Sequence, residues 1–509
     1  MESNALSYVV QTILLTVTLL LFRKLVKLNF WKQFDIPFVE APLPVIGDPL
    51  LFLKTPHIAS LRLYKQFPTE RFYGRYNLRK PTLVVRDPAL VESVTIKDFS
   101  HMNNRNIGLD PDNNKLSKHL VNYRDEKWRA LRNKLTPTFS SGKLKGMQPQ
   151  LIKCAESLVK FLSNLKQGEV IDMKEISGRF AVDVVSSCAF GLDLDIINHP
   201  EENKFYEVGI KVFQPSYFLK YFTLLQQYLA PLFKKLRVRA VDKKLEEFFI
   251  DAIDKTVKYR EENKANRQDF LQLLYDLKKK DDELLKKGEP KPLDDGVFDH
   301  TTLVSNAFIF LGAGYETTAT TLGFLFYELA KQPSLQDKIY REVMTVLGKH
   351  GGNLTFDAVG ELNYLDQVVA ETLRMYPPLA VMDRQIDKDY QIPGTNVVLP
   401  AGVLVFIPVY GLQHDPQYFP EPDKFIPERF DPALNSVVKG SYVPFGSGPR
   451  MCIAARFATL EIKICVAMVM KHFKVATTPR TEIPIEFEHR TFVVTQKNGV
   501  WLSVEKRNE

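Results

Sequence analysis

One cysteine, Cys452, lies in a loop of unusual composition, PFGSGPRMCIAARFA, which runs from Pro444 to Ala458. Glycine is used where the backbone turns sharply or approaches another group closely, so this loop is expected to be shaped around a bound object. A lone cysteine is usually a small apolar filler, but this one directly precedes an apolar helical pattern. The first backbone N–H groups of such a helix can stabilise a thiolate. The loop therefore predicts a functional thiolate.

Three kinds of chemistry could use this thiolate. A nucleophilic cysteine requires a histidine base, and neither His414 nor His472 lies in a recognisable catalytic context. A zinc site requires more ligands than this loop offers. A single thiolate that serves as the axial ligand of haem accounts for the glycines and for the cation at Arg450, because an arginine beside the ligand would neutralise a haem propionate.

A second motif, AGYETT from Ala313 to Thr318, lies within a segment from Thr301 to Lys331 that is apolar on nearly every face. A helix of that kind is either buried in a large protein or spans a membrane, and Glu316 favours a central buried helix. A small residue at Ala313 lets a bulky group lie against the backbone, and Thr317 can hydrogen bond to its own helix. The motif is either a packing notch or a carboxylate–hydroxyl pair that passes protons to a buried reaction centre.

A third group of residues has the pattern of a structural ion pair. Glu371 and Arg374 are three residues apart on a predicted helix and can pair on one face. Arg429, in a proline-rich segment from Phe419 to Pro432, is a candidate third member. We predict a structural rather than a catalytic role for all three.

The rest of the chain must position these groups within one large globular body. Of its 509 residues, 45% are hydrophobic and 25% are charged. From about residue 55 onward the pattern is mostly helical with short strand-like segments, which predicts a mainly α fold with small β-sheets (α+β). The net charge of +8 permits an acidic partner or an anionic membrane surface, but it does not indicate nucleic-acid binding. Four scattered cysteines form no disulfide framework, which favours a reducing compartment.

The N-terminus carries a candidate membrane anchor. Residues 3–22 contain no charge, and a helix of 20 residues matches the hydrocarbon thickness of a bilayer, roughly 30 Å. Basic residues follow directly, which predicts a cytosolic downstream chain. A cleaved secretory signal is the alternative, but it would need basic residues before the apolar run and a small-residue cleavage site after it. We predict an anchor at 3–22, a basic and proline-rich connector at 23–54 and a catalytic domain at 55–509.

Together these motifs resemble those of the microsomal cytochromes P450, especially the animal and insect members that oxidise foreign compounds. The family's ligand loop, F-x-x-G-x-R-x-C-x-G, is matched at Phe445, Gly448, Arg450 and Cys452. Its oxygen-helix motif is matched in full from Ala313 to Thr318, and its remaining motifs are matched at Glu371, Arg374, Arg429, Trp128 and Arg132. One departure is Ala454 in place of the last glycine of the ligand loop, which is tolerated if the backbone φ is negative.

The resemblance implies a haem-thiolate monooxygenase that uses haem b and O2. Cys452 would be the metal ligand, whose electron donation favours cleavage of the O–O bond. Thr317, with Glu316, would bind the oxygen and deliver protons to it. The other contacts to the cofactor would come from Arg450, Phe445, Trp128, Arg132, Arg105 and Ala313. Glu371, Arg374 and Arg429 would fix the segment behind the haem.

The resemblance also implies the kind of substrate and partner. Substrate contacts would come from the loop 107–123 and from Phe308, Leu379, Val381, Phe492 and Val493. Their shared apolarity indicates a lipophilic substrate, either a xenobiotic or an endogenous lipid or hormone. Electrons would come from NADPH–cytochrome P450 reductase, with cytochrome b5 as a second candidate partner, at the endoplasmic reticulum membrane.

Two alternatives remain open at this point. A haem-thiolate enzyme that rearranges peroxides needs neither oxygen nor a reductase, but such enzymes usually lack the acid–alcohol pair found here. A haem sensor or carrier without turnover would need neither a proton relay nor an anchored arrangement for electron transfer.

Overall fold

A computed structural model describes residues 30–40, 55–77, 80–106, 114–201, 243–265, 267–287 and 298–507. It also describes residues 15, 18, 203, 206–207, 230–236 and 238–239. The proposed anchor at 3–22 lies outside the described residues except for two positions, as do part of the connector and residues 107–113 of the expected substrate loop. No helix within the described part of the chain is long and apolar enough to cross a membrane.

Helices carry most of the described fold. They are α1 (Pro56–Lys65), α2 (Pro88–Glu92), α3 (Asp125–Leu135), α4 (Ser141–Ser163), α5 (Met173–Val185), α6 (Ala230–Lys235), α7 (Lys243–Asn263), α8 (Phe270–Lys286), α9 (His300–Lys331), α10 (Pro333–Lys349), α11 (Phe356–Gly360), α12 (Asn363–Met375), α13 (Val409–Gln413) and α14 (Ala455–His472).

Short strands form three small sheets. The strands are β1 (Phe72–Asn77), β2 (Lys80–Val85), β3 (Val170–Asp172), β4 (Met382–Gln385), β5 (Tyr390–Gln391), β6 (Val398–Leu399), β7 (Leu404–Ile407), β8 (Phe473–Thr477) and β9 (Trp501–Lys506). The sheet orders are β1-β2-β7-β4, β3-β9-β8 and β5-β6, and among these described strands β2 and β7 alone pair in parallel. The prediction of a mainly α fold with small sheets is confirmed.

Helix α9 lies in the middle of the larger hydrophobic core. The carboxylate of Asp299 caps its first turn by accepting a hydrogen bond from the Thr302 N–H at 2.6 Å. The helix ends before Pro333, which cannot continue its hydrogen-bond ladder. It packs along α5 and also contacts α8, α12, α14 and β8, and most of its side chains are buried. The prediction of a central buried helix is therefore confirmed.

Two histidines are buried on the side of the molecule formed by α1 and α13, and they predict acid sensitivity. Burial lowers the pKa of His57 to about 4 and that of His414 to about 3. Both rings pack against Tyr410, with centroids 4.9 and 4.0 Å away. In the unfolded chain a histidine titrates near 6.5, so the unfolded state takes up protons first as the pH falls.

We therefore expect the free energy of unfolding to be fully retained above pH ~6.5 and to fall as the pH drops towards 4. The loss between pH 7 and pH 5 should be about 2 kcal/mol for each of these histidines. Denaturant unfolding at the two pH values measures it, and His57→Phe should lose less stability over this interval than the wild type. A variant that loses as much as the wild type would contradict the assignment of the acid sensitivity to His57.

Candidate functional site

The loop that carries Cys452 folds back on itself. The Cys452 N–H donates to the carbonyl oxygen of Phe445 at 2.8 Å, and Gly446 and Gly448 between them adopt positive φ angles of 75° and 68°. A Cβ atom at Gly448 would collide with the carbonyl oxygen of Thr95. Glycine is therefore required by both the conformation and the space at this position.

The environment of Cys452 differs from that of the other cysteines, all of which are described. Its side chain is accessible, whereas Cys154, Cys188 and Cys465 are buried. Burial nevertheless raises the pKa of the Cys452 thiol, while the Ala454 N–H and the guanidinium of Arg105 lower it. The Cys452 thiol is therefore accessible although protein groups lie close to it.

Helix α9 has an accessible patch on its surface, formed by Ala313 and Thr317. Ala313 is exposed although it is the midpoint of a largely buried helix, and Thr317, one turn later, is partly exposed. The Thr317 hydroxyl donates to the carbonyl oxygen of Ala313 at 2.6 Å. A Cβ atom at Gly314 would lie 2.8 Å from Val185, so the glycine permits close packing of α9 on α5. The accessible patch at Ala313 and Thr317 thus presents small side chains.

Arg450 organises the region beside the thiol. Its guanidinium donates to the carbonyl oxygens of Asn103 at 2.8 Å and Tyr123 at 3.1 Å, and it lies over the buried ring of Trp128, 3.9 Å from the centroid. Two further guanidinium groups hold the backbone of the cysteine loop. Arg105 donates to the carbonyl oxygen of Arg450 at 3.1 Å, and Arg132 donates to that of Met451 at 3.0 Å.

Sequence analysis missed a fourth arginine, Arg384 on β4. Its side chain is fully buried, and its Nε has no hydrogen-bond partner among the described residues. Burial and the like charge of Arg105 lower the pKa of Arg384 to about 10. Because side chains alternate along a strand, Arg384 shares a face with Met382, which lies against Gly446 of the cysteine loop. The available signal was weak, namely an arginine two residues after the apolar run LAVM, which begins at Leu379.

A group of four guanidinium groups lacks carboxylate partners among the described residues. It consists of Arg105, Arg132, Arg384 and Arg450. Within the described part of the chain, no carboxylate lies within 4.0 Å of any of them. Burial and the like charges of Arg105 and Arg384 also lower the pKa of Arg450. Arg384 and Arg450 are buried and Arg105 and Arg132 are partly buried, and buried cations require anions. This donor set therefore fits a ligand with two carboxylates, such as haem with its propionates.

Comparison with known proteins decides the family. The family model described as Cytochrome P450 matches residues 37–502. This chain belongs to the cytochrome P450 family. It is 36% identical over 491 residues to probable cytochrome P450 6a14 of Drosophila melanogaster, which covers 94% of this chain and 95% of that protein. It is 34% identical over 496 residues to cytochrome P450 6k1 of Blattella germanica, with 94% of each chain covered. Cytochrome P450 6A1 of Musca domestica is 35% identical over 490 residues, again with 94% of each covered.

Membership in the cytochrome P450 family supports a haem monooxygenase. In this P450 the structure brings together the cysteine loop with Cys452 and Phe445 and the cations Arg450, Arg132 and Arg105. Trp128, which was expected to touch the cofactor, stacks on the Arg450 guanidinium and so fixes its orientation.

Glu316 of this P450 is buried and bonds to groups other than Thr317. Its buried carboxylate lies 3.4 Å from the ammonium of Lys174 on α5 and accepts a hydrogen bond from Thr320 at 3.4 Å. The Thr317 hydroxyl is instead bonded within its own helix. Sequence spacing therefore identified both groups, but the structure does not join them directly. Lys174, whose side chain is 21% exposed, connects the carboxylate with solvent.

The ion-pair residues meet as a buried network. Arg374 binds Glu371 through two hydrogen bonds of 2.7 and 2.8 Å, and both side chains are fully buried. Arg429 Nε approaches the same carboxylate at 3.4 Å, and the Ile426 N–H donates to it at 2.9 Å. Gln413, which sequence analysis missed, accepts from the Val443 N–H just before the cysteine loop. The network thus ties α12 to the segment that leads to Cys452.

The expected substrate residues occupy different environments. Leu379 and Phe492 are exposed, Val381 and Val493 are partly exposed, and Leu379 forms a backbone bridge with Val493. Phe308 is buried in edge-to-face contact with Phe249 of α7, with centroids 5.1 Å apart. Their roles in substrate binding stay predictions.

Ala454, the one departure from the family motif, has φ −95° and ψ 13°. No left-handed conformation is needed there, so a methyl group is accommodated without backbone strain. We expect Ala454→Gly to keep haem occupancy near that of the wild type and to lower stability by only about 0.4–1 kcal/mol, because glycine has more freedom in the unfolded chain. Haem content per protein and denaturant unfolding measure both effects. Complete loss of haem would show that the alanine methyl is essential to the loop.

Proposed function

We propose that this P450 is a haem-thiolate monooxygenase that inserts one oxygen atom from O2 into lipophilic substrates with electrons from NADPH. The observation that carries the proposal is the accessible thiol of Cys452 beside four arginines with no carboxylate partner among the described residues. The exposed apolar side chains of Leu379 and Phe492 support a lipophilic substrate. Electrons are supplied by NADPH–cytochrome P450 reductase, with cytochrome b5 as a second partner.

Cys452 would ligate the haem iron, and the four arginines would neutralise the propionates. When bound, haem supplies O2 activation, which a thiolate ligand favours. Phe445 contributes through its backbone carbonyl, which fixes the turn that presents the thiol. Ala313 leaves room for a planar group against α9 because its side chain ends at Cβ.

Thr317 and Glu316 would supply and direct protons. The Thr317 hydroxyl needs only to rotate from the carbonyl of Ala313 to donate into the accessible space beside it. Glu316 is held in place by Lys174 and Thr320. Protons would enter from solvent at Lys174, pass to the Glu316 carboxylate and reach Thr317 by movement of that carboxylate or through water.

The location of the enzyme belongs to the same proposal. Residues 3–22 would anchor the chain in the endoplasmic reticulum membrane, residues 23–54 would connect it, and residues 55–509 would form a catalytic domain in the cytosol. The absence of charge from residues 3–22 and the basic residues that follow support this arrangement.

The proposal is tested by turnover in reconstituted membranes with the reductase and a panel of lipophilic compounds, with products identified by mass. We expect products that carry one added oxygen atom and require NADPH, O2 and reductase together. Rearrangement of a lipid peroxide to an isomeric product, with no product that depends on NADPH and O2, would indicate the peroxide-rearranging alternative. A bound haem without any turnover would indicate a sensor or carrier.

Thr317→Val tests the proton path within the proposed mechanism. Positioning of a general acid typically contributes about 10²–10⁴-fold to a step, and water that replaces the hydroxyl recovers part of it. We therefore expect roughly tenfold less product per NADPH consumed, with more hydrogen peroxide released, because electrons still arrive but the proton is misplaced.

Thr321→Val is the matched control, because the Thr321 hydroxyl also donates within the helix, to the carbonyl of Thr317 at 2.8 Å. Thr320 is unsuitable as a control, since it bonds Thr495 at 2.8 Å as well as Glu316. If Thr317→Val couples NADPH to product as well as Thr321→Val does, the threonine is a packing residue.

A further inference from the structure

The described residues 103–106 and 114–125 meet at the cysteine loop through their outer ends, which include Asn103 and Tyr123. Both ends are held by one guanidinium, since Arg450 donates to the carbonyl oxygens of Asn103 and Tyr123. The first end also lies against β4, where the Gln385 N–H donates to the carbonyl oxygen of Asn104 at 2.9 Å. The two ends are therefore fixed close together at the arginine cluster.

A second contact closes these ends directly. The side-chain amide of Asn104 donates to Asp125 Oδ1 at 2.7 Å, and its Oδ1 accepts from the Asp125 N–H at 2.9 Å. Asn104 is 1% exposed. Asp125 adopts a φ of 49°, which is uncommon for a residue other than glycine and persists where the surroundings determine it. This reciprocal pair holds Asp125 in that conformation.

The Asn104–Asp125 pair joins the two chain segments that carry Arg105 and Arg132. Asn104 directly precedes Arg105, whereas Asp125 is the first residue of α3, which carries Trp128 and Arg132. Residues 114–125 are also hydrogen-bonded to α9. There Ser305 donates to the carbonyl oxygen of Lys115 at 2.6 Å, and Asn306 accepts from the Leu120 N–H at 3.2 Å.

We propose that Asn104 and Asp125 are a positioning pair that sets the separation of Arg105 from Arg132 and thereby the shape of the anion-binding half of the cofactor site. No family motif quoted above includes either residue. The inference deepens the proposed function and rests on it in one respect, namely that the anion held there is a haem carboxylate.

The chemistry of the pair predicts an asymmetric response to substitution. Asn104→Asp places two carboxylate oxygens against each other, because an aspartate has no amide donor. Asp125→Asn keeps an acceptor, since the new amide can present its oxygen to Asn104. The double variant Asn104→Asp/Asp125→Asn restores one donor and one acceptor with their roles exchanged. Asn104→Leu removes the hydrogen bonds without adding charge and so separates pairing from electrostatics.

Two measurements on the holoenzyme test the proposal, namely the rate of haem transfer to apomyoglobin and amide hydrogen exchange in residues 114–125. We expect Asn104→Asp and Asn104→Leu to release haem about tenfold faster and to lose exchange protection in this segment. Asp125→Asn should stay near wild type, and the double variant should recover most of the loss of Asn104→Asp. Asn353→Asp, the same change at an exposed turn, should alter neither measurement.

Rates in Asn104→Leu equal to those of the wild type would overturn the proposal, as would a double variant no better than Asn104→Asp. The exchange measurement keeps the test decisive if haem release is limited by another step. A wild-type protein that binds no haem would instead refute the proposed function, and exchange alone would then report on the pair.

Discussion

Replacing Cys452 by alanine is expected to abolish the strongly red-shifted Soret band of the reduced carbon-monoxide complex. That band requires an axial thiolate, and Cys452 is the accessible thiol, in a turn fixed by the backbone hydrogen bond from its N–H to Phe445. An alanine keeps the backbone of the turn and removes only the sulfur. The reduced difference spectrum with carbon monoxide measures the effect, with haem content determined in parallel.

The other three cysteines are the matched controls for this variant. Cys154→Ala, Cys188→Ala and Cys465→Ala should keep the band, because their thiols are buried and not accessible to a ligand. These variants lose a small apolar group each and so should cost only modest stability. Retention of the red-shifted band in Cys452→Ala would show that another group binds the iron.

Replacing Arg374 by methionine is expected to lower the free energy of unfolding more than any of the other substitutions proposed above. Glu371 is fully buried and receives two hydrogen bonds from Arg374, so the substitution leaves a carboxylate without its main partner. Removing one partner of a buried ion pair typically costs about 3–5 kcal/mol. The carbonyl oxygens of Gln413 and Lys424 also lose donors. Denaturant unfolding followed by circular dichroism measures the loss, and haem content should fall with it.

An exposed ion pair of the same length provides the control. Lys338 and Glu428 also lie 2.7 Å apart, but their side chains are 48% and 44% exposed, so Lys338→Met should cost less than about 1 kcal/mol. The double variant Glu371→Met/Arg374→Met should recover part of the loss, because it removes the stranded charge as well. Equal unfolding midpoints for Arg374→Met and the wild type would contradict a stabilising role.

Local spacing made several features predictable from the sequence alone. Each of these features is contained within a few residues, namely the cysteine loop, the AGYETT segment and the Glu371–Arg374 pair. Helical periodicity and turn chemistry therefore determine their local geometry, and distant contacts need not be known. Helix α9 was predictable because a long segment that is apolar on all sides and contains a carboxylate has few stable places outside a protein core.

Contacts between distant parts of the chain were decided only by the tertiary structure. Nothing in the sequence indicated that Arg384 lies beside Arg450, or that Glu316 is held by Lys174, 142 residues earlier. The pairing of Asn104 with Asp125 likewise depends on tertiary packing, which places the first residue of α3 beside the residue that bonds to β4. Such contacts depend on the packing of whole helices and sheets, which is the sum of many weak interactions over the molecule. A sequence motif, in contrast, indicates only the local geometry of residues that are close together in the chain.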